Sequence, residues 1–155
     1  DFTVVTGYNA DLYDELCQMR RELHHHVEIL GYTNHIPELM VRASLLVTKP
    51  GALTCTEAAT VQVPIVLYSP IPGQEEANAT YMQSKGCARW VKTKDDLAAV
   101  VSELLRSPET LQQMSASSLA CHRNGAQIIG RRVLELLHGS AEPELDITTE
   151  EYSKA

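Results

Sequence analysis

The chain has 155 residues, the size of one ordinary domain, and its 44% hydrophobic content excludes a disordered or fibrous protein. Its formal net charge of -7 excludes binding to nucleic acid or anionic lipid through bulk electrostatics, because both need a basic face. An anionic ligand would have to be held locally, by backbone amides and helix ends. No apolar run reaches the ~20 residues of a transmembrane helix.

Short apolar runs alternate with stretches of helical period, which predicts an α/β fold with a parallel sheet of about five strands and helices on both faces. Strands are predicted at 2–6, 27–30, 45–48, 65–68 and 88–91. Helices are predicted at 9–23, 36–43 with Asn34 as N-cap, about 54–61, 74–85, 94–106, 108–123 and 126–138. Residues 139–155 are acidic and aperiodic, so the domain is expected to span 1–138, followed by a tail or linker.

Neither the cysteines nor the histidines have the spacing of a metal or redox site. Cys17, Cys55, Cys87 and Cys121 are dispersed, which favours reduced thiols in a cytosol-like compartment. The run 24–26 consists of three adjacent histidines, which point to opposite faces of a strand and do not converge. We interpret this run as a solvated surface.

The most informative segment follows the third predicted strand. It runs Thr48-Lys49-Pro50-Gly51-Ala52-Leu53-Thr54-Cys55-Thr56-Glu57-Ala58. Helix N-termini at the carboxyl ends of parallel strands suit phosphate, and small residues at Gly51 and Ala52 would let a diphosphate approach the backbone. Thr54 would add a hydroxyl, and Glu57 would accept from ribose hydroxyls. The alternative is a capping box, in which Thr54 and Glu57 each satisfy the other's free amide.

Two further polar segments follow strands. In Pro72-Gly73-Gln74-Glu75-Glu76-Ala77-Asn78-Ala79, Gln74 and Asn78 are one turn apart and can read sugar hydroxyls, with Glu75 beside them. The alternative is a Pro-rich turn with acidic residues at a helix N-terminus. Gly31-Tyr32-Thr33-Asn34 is a polar turn that could pair with a base edge, or an ordinary loop.

Taken together, these three segments resemble the C-terminal domain of the family that contains diacylglycerol glucosyltransferases, monogalactosyldiacylglycerol synthases and the peptidoglycan GlcNAc transferase. The resemblance covers 2–138 with the same order and spacing. It implies the Rossmann-like C-terminal half of a two-domain GT-B glycosyltransferase. Many diacylglycerol-acting relatives carry a second glycine at the position of Ala52, whereas the peptidoglycan enzyme is similar to this chain in Gly-Ala-Leu-Thr, so the acceptor stays open.

The resemblance also implies roles for individual residues. Thr33 would meet uracil through its backbone and Glu57 would bind ribose. The diphosphate would be bound by Gly51, Ala52, Leu53 and Thr54. Gln74 and Asn78, with Glu75 beside them, would lie at the hexose and the adjacent phosphate.

In this family the domain opens with one further strand and a Gly-rich loop, and the acceptor site and probable base belong to an N-terminal domain. The chain is expected to start after that strand and loop, so the isolated chain would not catalyse and an unpaired sheet edge would invite self-association. No catalytic residue is identified.

The implied reaction transfers a hexose from a UDP-hexose to a lipid such as diacylglycerol, at a cytoplasmic or plastid-side membrane surface. No cofactor or metal is expected, because the chain has no Asp-x-Asp carboxylate pair. Two alternatives stay open: a UDP-sugar epimerase of the same fold, and a donor-binding subunit that pairs with a separate acceptor subunit.

Overall fold

The computed structural model describes residues 1–23, 25–121 and 125–138. The chain divides into two units, Asp1–Cys121 and His122–Ala155, and each is described by itself. All five predicted strands are confirmed: β1 Phe2–Val5, β2 Val27–Leu30, β3 Leu46–Thr48, β4 Ile65–Tyr68 and β5 Ala88–Val91. The helices are α1 Ala10–Met19, α2 Ile36–Arg42, α3 Ala52–Thr60, α4 Gln74–Ser84, α5 Lys94–Leu105, α6 Pro108–Cys121 and, in the second unit, α7 Gly125–Leu137.

Two element boundaries differ from the prediction by more than one residue. The helix predicted at 9–23 ends at Met19 and continues as a 3-10 turn, Arg20–Glu22. Helix α3 begins two residues before the predicted start. The end of the helix predicted at 108–123 and the tail 139–155 lie outside the described residues.

The strands form two parallel ladders instead of one continuous sheet. β1 pairs with β2, and β4 lies between β3 and β5. In the doubly wound fold the first strand is central, with the second and third strands on one side and the fourth to sixth on the other. The two ladders match the two sides of that arrangement with its central strand absent, a strand that β1 and β3 would flank.

Burial differs sharply between β4, at the centre of the three-stranded ladder, and the strands β1 and β3. The β4 side chains of Ile65, Val66 and Leu67 are fully buried, as strands covered on both faces are. In contrast, Phe2 in β1 is 45% exposed and Val47 in β3 is 46% exposed. The apolar side chains of β1 and β3 are therefore less buried than is usual for apolar residues in a sheet.

The three-stranded ladder carries helices on both faces, as predicted. Ile65 and Leu67 of β4 point into one cluster, and Val66 points into the other, because successive strand side chains alternate. The first cluster also contains buried residues of α2, α3 and α4, and the second contains Leu104 of α5 and Met114 of α6. Helix α3 is thus fixed on the sheet by its buried face.

The four cysteines are free in the structure. Cys55 is 4% exposed in the core face of α3. Burial, together with the Glu75 carboxylate and Cys121, raises the pKa of the Cys55 thiol from 9.0 to about 11. The folded state therefore holds this proton more tightly than the unfolded state.

Because the folded pKa is the raised one, the stability from Cys55 is complete below pH 9 and is lost as pH rises towards 11. We expect the free energy of unfolding to fall by ~1 kcal/mol between pH 9 and pH 10 from this thiol alone. Urea unfolding at both pH values measures it. The Cys55→Ala variant is the control, and an equal pH dependence in both proteins would contradict the prediction.

Candidate donor site

The loops after β3 and β4 meet at one edge of the sheet. The two strands are parallel neighbours, and the loops that follow them lead into α3 and α4, whose N-caps are Gly51 and Gly73. Gly51 and Gly73 therefore lie at the same edge of the sheet. Ligands of open α/β sheets bind beyond this edge.

Side chains of α4 tie the two loops together. Asn78 Nδ2 donates to the Pro50 carbonyl over 2.9 Å. The Glu75 carboxylate lies 3.5 Å from Lys49 Nζ and accepts from the Ile71 N–H at 2.6 Å. Because Glu75 and Asn78 each contact the loop after β3, the two loops are fixed relative to one another.

The capping box predicted at Thr54 and Glu57 is wrong. The Gly51 carbonyl already accepts from the Cys55 N–H at 2.9 Å, so Gly51 is the N-cap and Thr54 lies inside the first turn. Glu57 then falls one turn too far along to reach the N-cap amide. Its side chain is exposed, which leaves the carboxylate open to a ligand.

The first turn of α3 has free amides. No side chain caps it, and among the described residues no acceptor faces the N–H groups of Ala52, Leu53 or Thr54. At the start of α4, by contrast, the Glu76 carboxylate accepts from the Gly73 N–H at 3.2 Å. An anion is therefore attracted to α3 and repelled from the acidic start of α4.

The remaining predicted residues lie on α4, which packs against α3. Gln74 is exposed in the first turn, and Asn78 is half-buried one turn later. A cavity of about 180 Å³ between α3 and α4 is lined by Ala52, Thr56 and Asn78, among others. The structure thus places Asn78 beside Pro50 and Ala52, at the start of α3.

The N-cap of α2, in the turn after β2, is not the predicted residue. The N-cap of α2 is His35, and the Thr33 hydroxyl accepts from the His35 N–H at 3.1 Å. Asn34 Oδ1 instead accepts from the Tyr32 hydroxyl at 2.8 Å, so the prediction of Asn34 as N-cap is wrong. Because the Thr33 hydroxyl is hydrogen-bonded within the turn, only the Thr33 backbone is available to a ligand.

Within the described ranges, no group of three or more His, Cys, Asp or Glu side chains is placed to hold a metal ion. His25 and His26 are exposed, and His24 lies outside the described residues. None of the described helices is both long and apolar enough to cross a membrane.

Sequence reasoning missed Lys49 and Pro50 as partners of the α4 side chains. Both residues precede Gly51. The sequence did carry a signal for one of these contacts, because a Lys that follows one strand and a Glu that follows the neighbouring strand can form an ion pair. Strand adjacency is a tertiary property, and the sequence alone did not assign it.

The profile of the family described as "Glycosyltransferase family 28 C-terminal domain" matches residues 1–129, which is most of the chain. The chain belongs to the glycosyltransferase family 28 C-terminal domain family. Its segments after β2, β3 and β4 are those on which the resemblance was recognised.

Relatives of this family 28 domain include processive diacylglycerol beta-glucosyltransferases of two bacilli. The Bacillus subtilis (strain 168) protein is 34% identical over 133 residues, covering 85% of this chain and 35% of the relative. The Bacillus mycoides (strain KBAB4) protein is 36% identical over 120 residues, covering 77% and 31%. The chain therefore spans about a third of the length of these relatives.

Two solved structures share the fold. MurG of Acinetobacter baumannii superposes with a TM-score of 0.66 at 17% identity, over 87% of this chain and 49% of that one. The glycotransferase of kitacinnamycin superposes with a TM-score of 0.59 at 20% identity, over 87% and 42%. These likenesses confirm the GT-B half-fold that was predicted.

Proposed function

We propose that this chain is the donor-binding part of a glycosyltransferase that transfers a hexose from a UDP-sugar to a lipid hydroxyl such as that of diacylglycerol. The observation that carries the proposal is the uncapped first turn of α3, which offers the amides of Ala52, Leu53 and Thr54 at the ligand-binding edge. The names of the relatives, processive diacylglycerol beta-glucosyltransferases, favour transfer to a lipid over the epimerase reaction.

Each candidate residue would bind the part of the donor that matches its chemistry. The α3 amides would bind the diphosphate, and Glu57 would accept from the ribose hydroxyls. The Thr33 backbone would pair with the uracil edge. Gln74 and the free oxygen of Asn78 would bind the hexose hydroxyls, since amide groups both donate and accept.

Glu75 has a different part in this proposal. Its side chain is only 19% exposed, and its carboxylate already contacts Lys49 and the Ile71 amide. We therefore assign Glu75 to holding the two loops in register instead of to the sugar. The α3 amides it helps to place would stabilise the charge that develops on the departing UDP, without a metal ion.

The break between β1 and β3 fits a strand supplied by the polypeptide ahead of Asp1. The intact protein would also bring an acceptor domain and a Gly-rich loop, and it would act at the cytoplasmic or plastid-side membrane surface where its lipid acceptor lies. In the isolated chain, the exposed edges at Phe2 and Val47 would promote self-association.

The test is an NMR-detected titration of the 155-residue chain with UDP, which measures millimolar affinities. We expect shifts in the amides of Ala52 to Thr54 and in Glu57. The Glu57→Gln variant should bind UDP about tenfold more weakly, because a charge-assisted hydrogen bond to ribose is lost. Glu57 has no capping contact, so the unfolding midpoint of the variant should not change.

The matched control is Glu103→Gln on α5, an exposed carboxylate on a helix away from the α3 loop. Unchanged UDP affinity in Glu57→Gln would remove Glu57 from the site. Absence of any shift at α3 in the native chain, at UDP concentrations up to several millimolar, would remove the donor site itself.

A further inference from the structure

Two cysteine side chains meet between the sheet and the end of α6. Cys87 directly precedes β5 and is fully buried, whereas Cys121 is the last residue of α6 and is half-buried. Their Sγ atoms are 3.0 Å apart, although the residues lie 34 positions apart in the sequence. Within the described ranges, no other two cysteines have their sulfur atoms in contact. We call Cys87 and Cys121 the thiol pair.

The thiol pair has a geometry from which a disulfide can form. The bond between two sulfurs is ~2.05 Å long, so the two Sγ atoms need to approach by only about 1 Å. Cys87 Sγ also donates to the Met82 carbonyl over 3.3 Å. Because a thiol has one proton to donate, the Cys121 S–H is then the donor in the contact between the two sulfurs, and Cys87 Sγ is its acceptor.

Cys121 is the member of the thiol pair that a soluble oxidant can reach. It lines the cavity of about 180 Å³ between α3 and α4, together with Cys55 and Thr56. Cys87 is fully buried, and this burial, with the neighbouring Cys121, raises the pKa of the Cys87 thiol to about 12. Since the reactivity of a cysteine follows its exposure and its thiolate content, Cys121 reacts first.

We propose that the thiol pair is a reversible redox site, at which a low-molecular-weight disulfide such as glutathione disulfide converts Cys87 and Cys121 into a disulfide bond. The Cys121 thiolate attacks one sulfur of the oxidant, whose S–S bond breaks and whose other half leaves as a thiolate that takes up the proton lost by Cys121. The Cys87 sulfur, after losing its proton to water, then attacks Cys121 Sγ, and the second half leaves as a thiolate and takes up a proton. Two protein thiols are thereby oxidised, and one small disulfide is reduced to two thiols.

The new bond would join the start of β5 to the end of α6. Cys121 packs against the core cluster that contains Cys55 and Ala59 of α3, and α6 packs on α3. The disulfide would therefore fix the end of α6 against this cluster. Because a bond that closes a loop of this length lowers the entropy of the unfolded chain, it should raise the Tm by about 5 to 15 °C. This inference is independent of the proposed function, since it depends only on the two sulfurs and their surroundings.

Peptide mapping of the 155-residue chain tests the thiol pair. After incubation with glutathione disulfide and blocking of the free thiols with iodoacetamide, trypsin should release peptide 86–89 linked to peptide 107–123. Dithiothreitol should separate the two peptides, and thermal unfolding of the oxidised chain should give the higher Tm. Cys121→Ser should abolish both the link and the gain in Tm. Cys17→Ser, the matched control at a cysteine of α1, should keep both.

A link from Cys121 to Cys55 or Cys17 in place of Cys87 would overturn the redox site, as would the absence of any linked peptide at millimolar glutathione disulfide. An unchanged Tm in a chain that carries the link would show that the bond does not restrain α6. Because the mapping uses the native chain, its result does not depend on whether Cys121→Ser folds. UDP has no part in this experiment, so the redox site and the proposed function fail separately.

Discussion

Replacement of Gly51 by Ala should weaken UDP binding about a hundredfold while leaving the stability of the chain almost unchanged. Gly51 has φ -66° and ψ 136°, a conformation open to alanine, and an added Cβ would meet nothing closer than Thr54 Oγ1 at 3.9 Å. The folded protein therefore has room for the methyl group. The proposed diphosphate does not, because it must approach the backbone to reach the amides of α3. Loss of one or two charge-assisted amide contacts costs ~3 kcal/mol.

Isothermal titration or NMR titration with UDP measures the affinity, and thermal unfolding measures the stability. Ala43→Gly is a control for a small-residue change outside the loop, since Ala43 is the C-cap of α2. A Gly51→Ala variant that binds UDP as tightly as the native chain would show that the diphosphate lies elsewhere. Loss of stability without a specific loss of affinity would assign Gly51 a structural role only.

Replacement of Gly73 by Ala, in contrast, should lower the stability of the chain. Gly73 has φ 92° and ψ -107°, a backbone conformation that residues with a side chain rarely adopt, although space for a Cβ is free. Alanine there costs ~1 to 3 kcal/mol of strain, so we expect Tm to fall by about 3 to 10 °C. The strain also moves the start of α4, which carries Gln74 and Glu75.

Differential scanning calorimetry of Gly73→Ala beside Gly51→Ala compares the two N-cap glycines directly. The ordering of the two Tm values is the result that matters, with Gly73→Ala the lower. If both variants have the Tm of the native chain, the positive φ of Gly73 does not make alanine destabilising there. Amide shifts at Ile71 and Gly73 in the variant would report whether the contacts of the loop with Glu75 and Glu76 are lost.

Much of the site was predictable from the sequence because its residues follow strands, and strands are signalled by short apolar runs. The segment from Gly51 to Thr54 and the segment beginning at Gln74 were both placed at helix starts, and the structure confirms these positions. The capping interpretations at Thr54 and Asn34 were wrong for one reason. A cap depends on where the helix begins to within one residue, and hydrophobic periodicity does not fix a helix start that closely.

The sequence by itself determined the α/β class, the five strands and the family, since these depend on local periodicity and on motifs of fixed spacing. Only the tertiary structure decided which strands are neighbours. That choice separated β1 from β3, placed Lys49 beside Glu75 and Pro50 beside Asn78, and stacked Tyr8 on Tyr32. Each of these pairs joins residues 24 or more positions apart, whose contact is set by the burial of whole helices and strands and not by the residues between them.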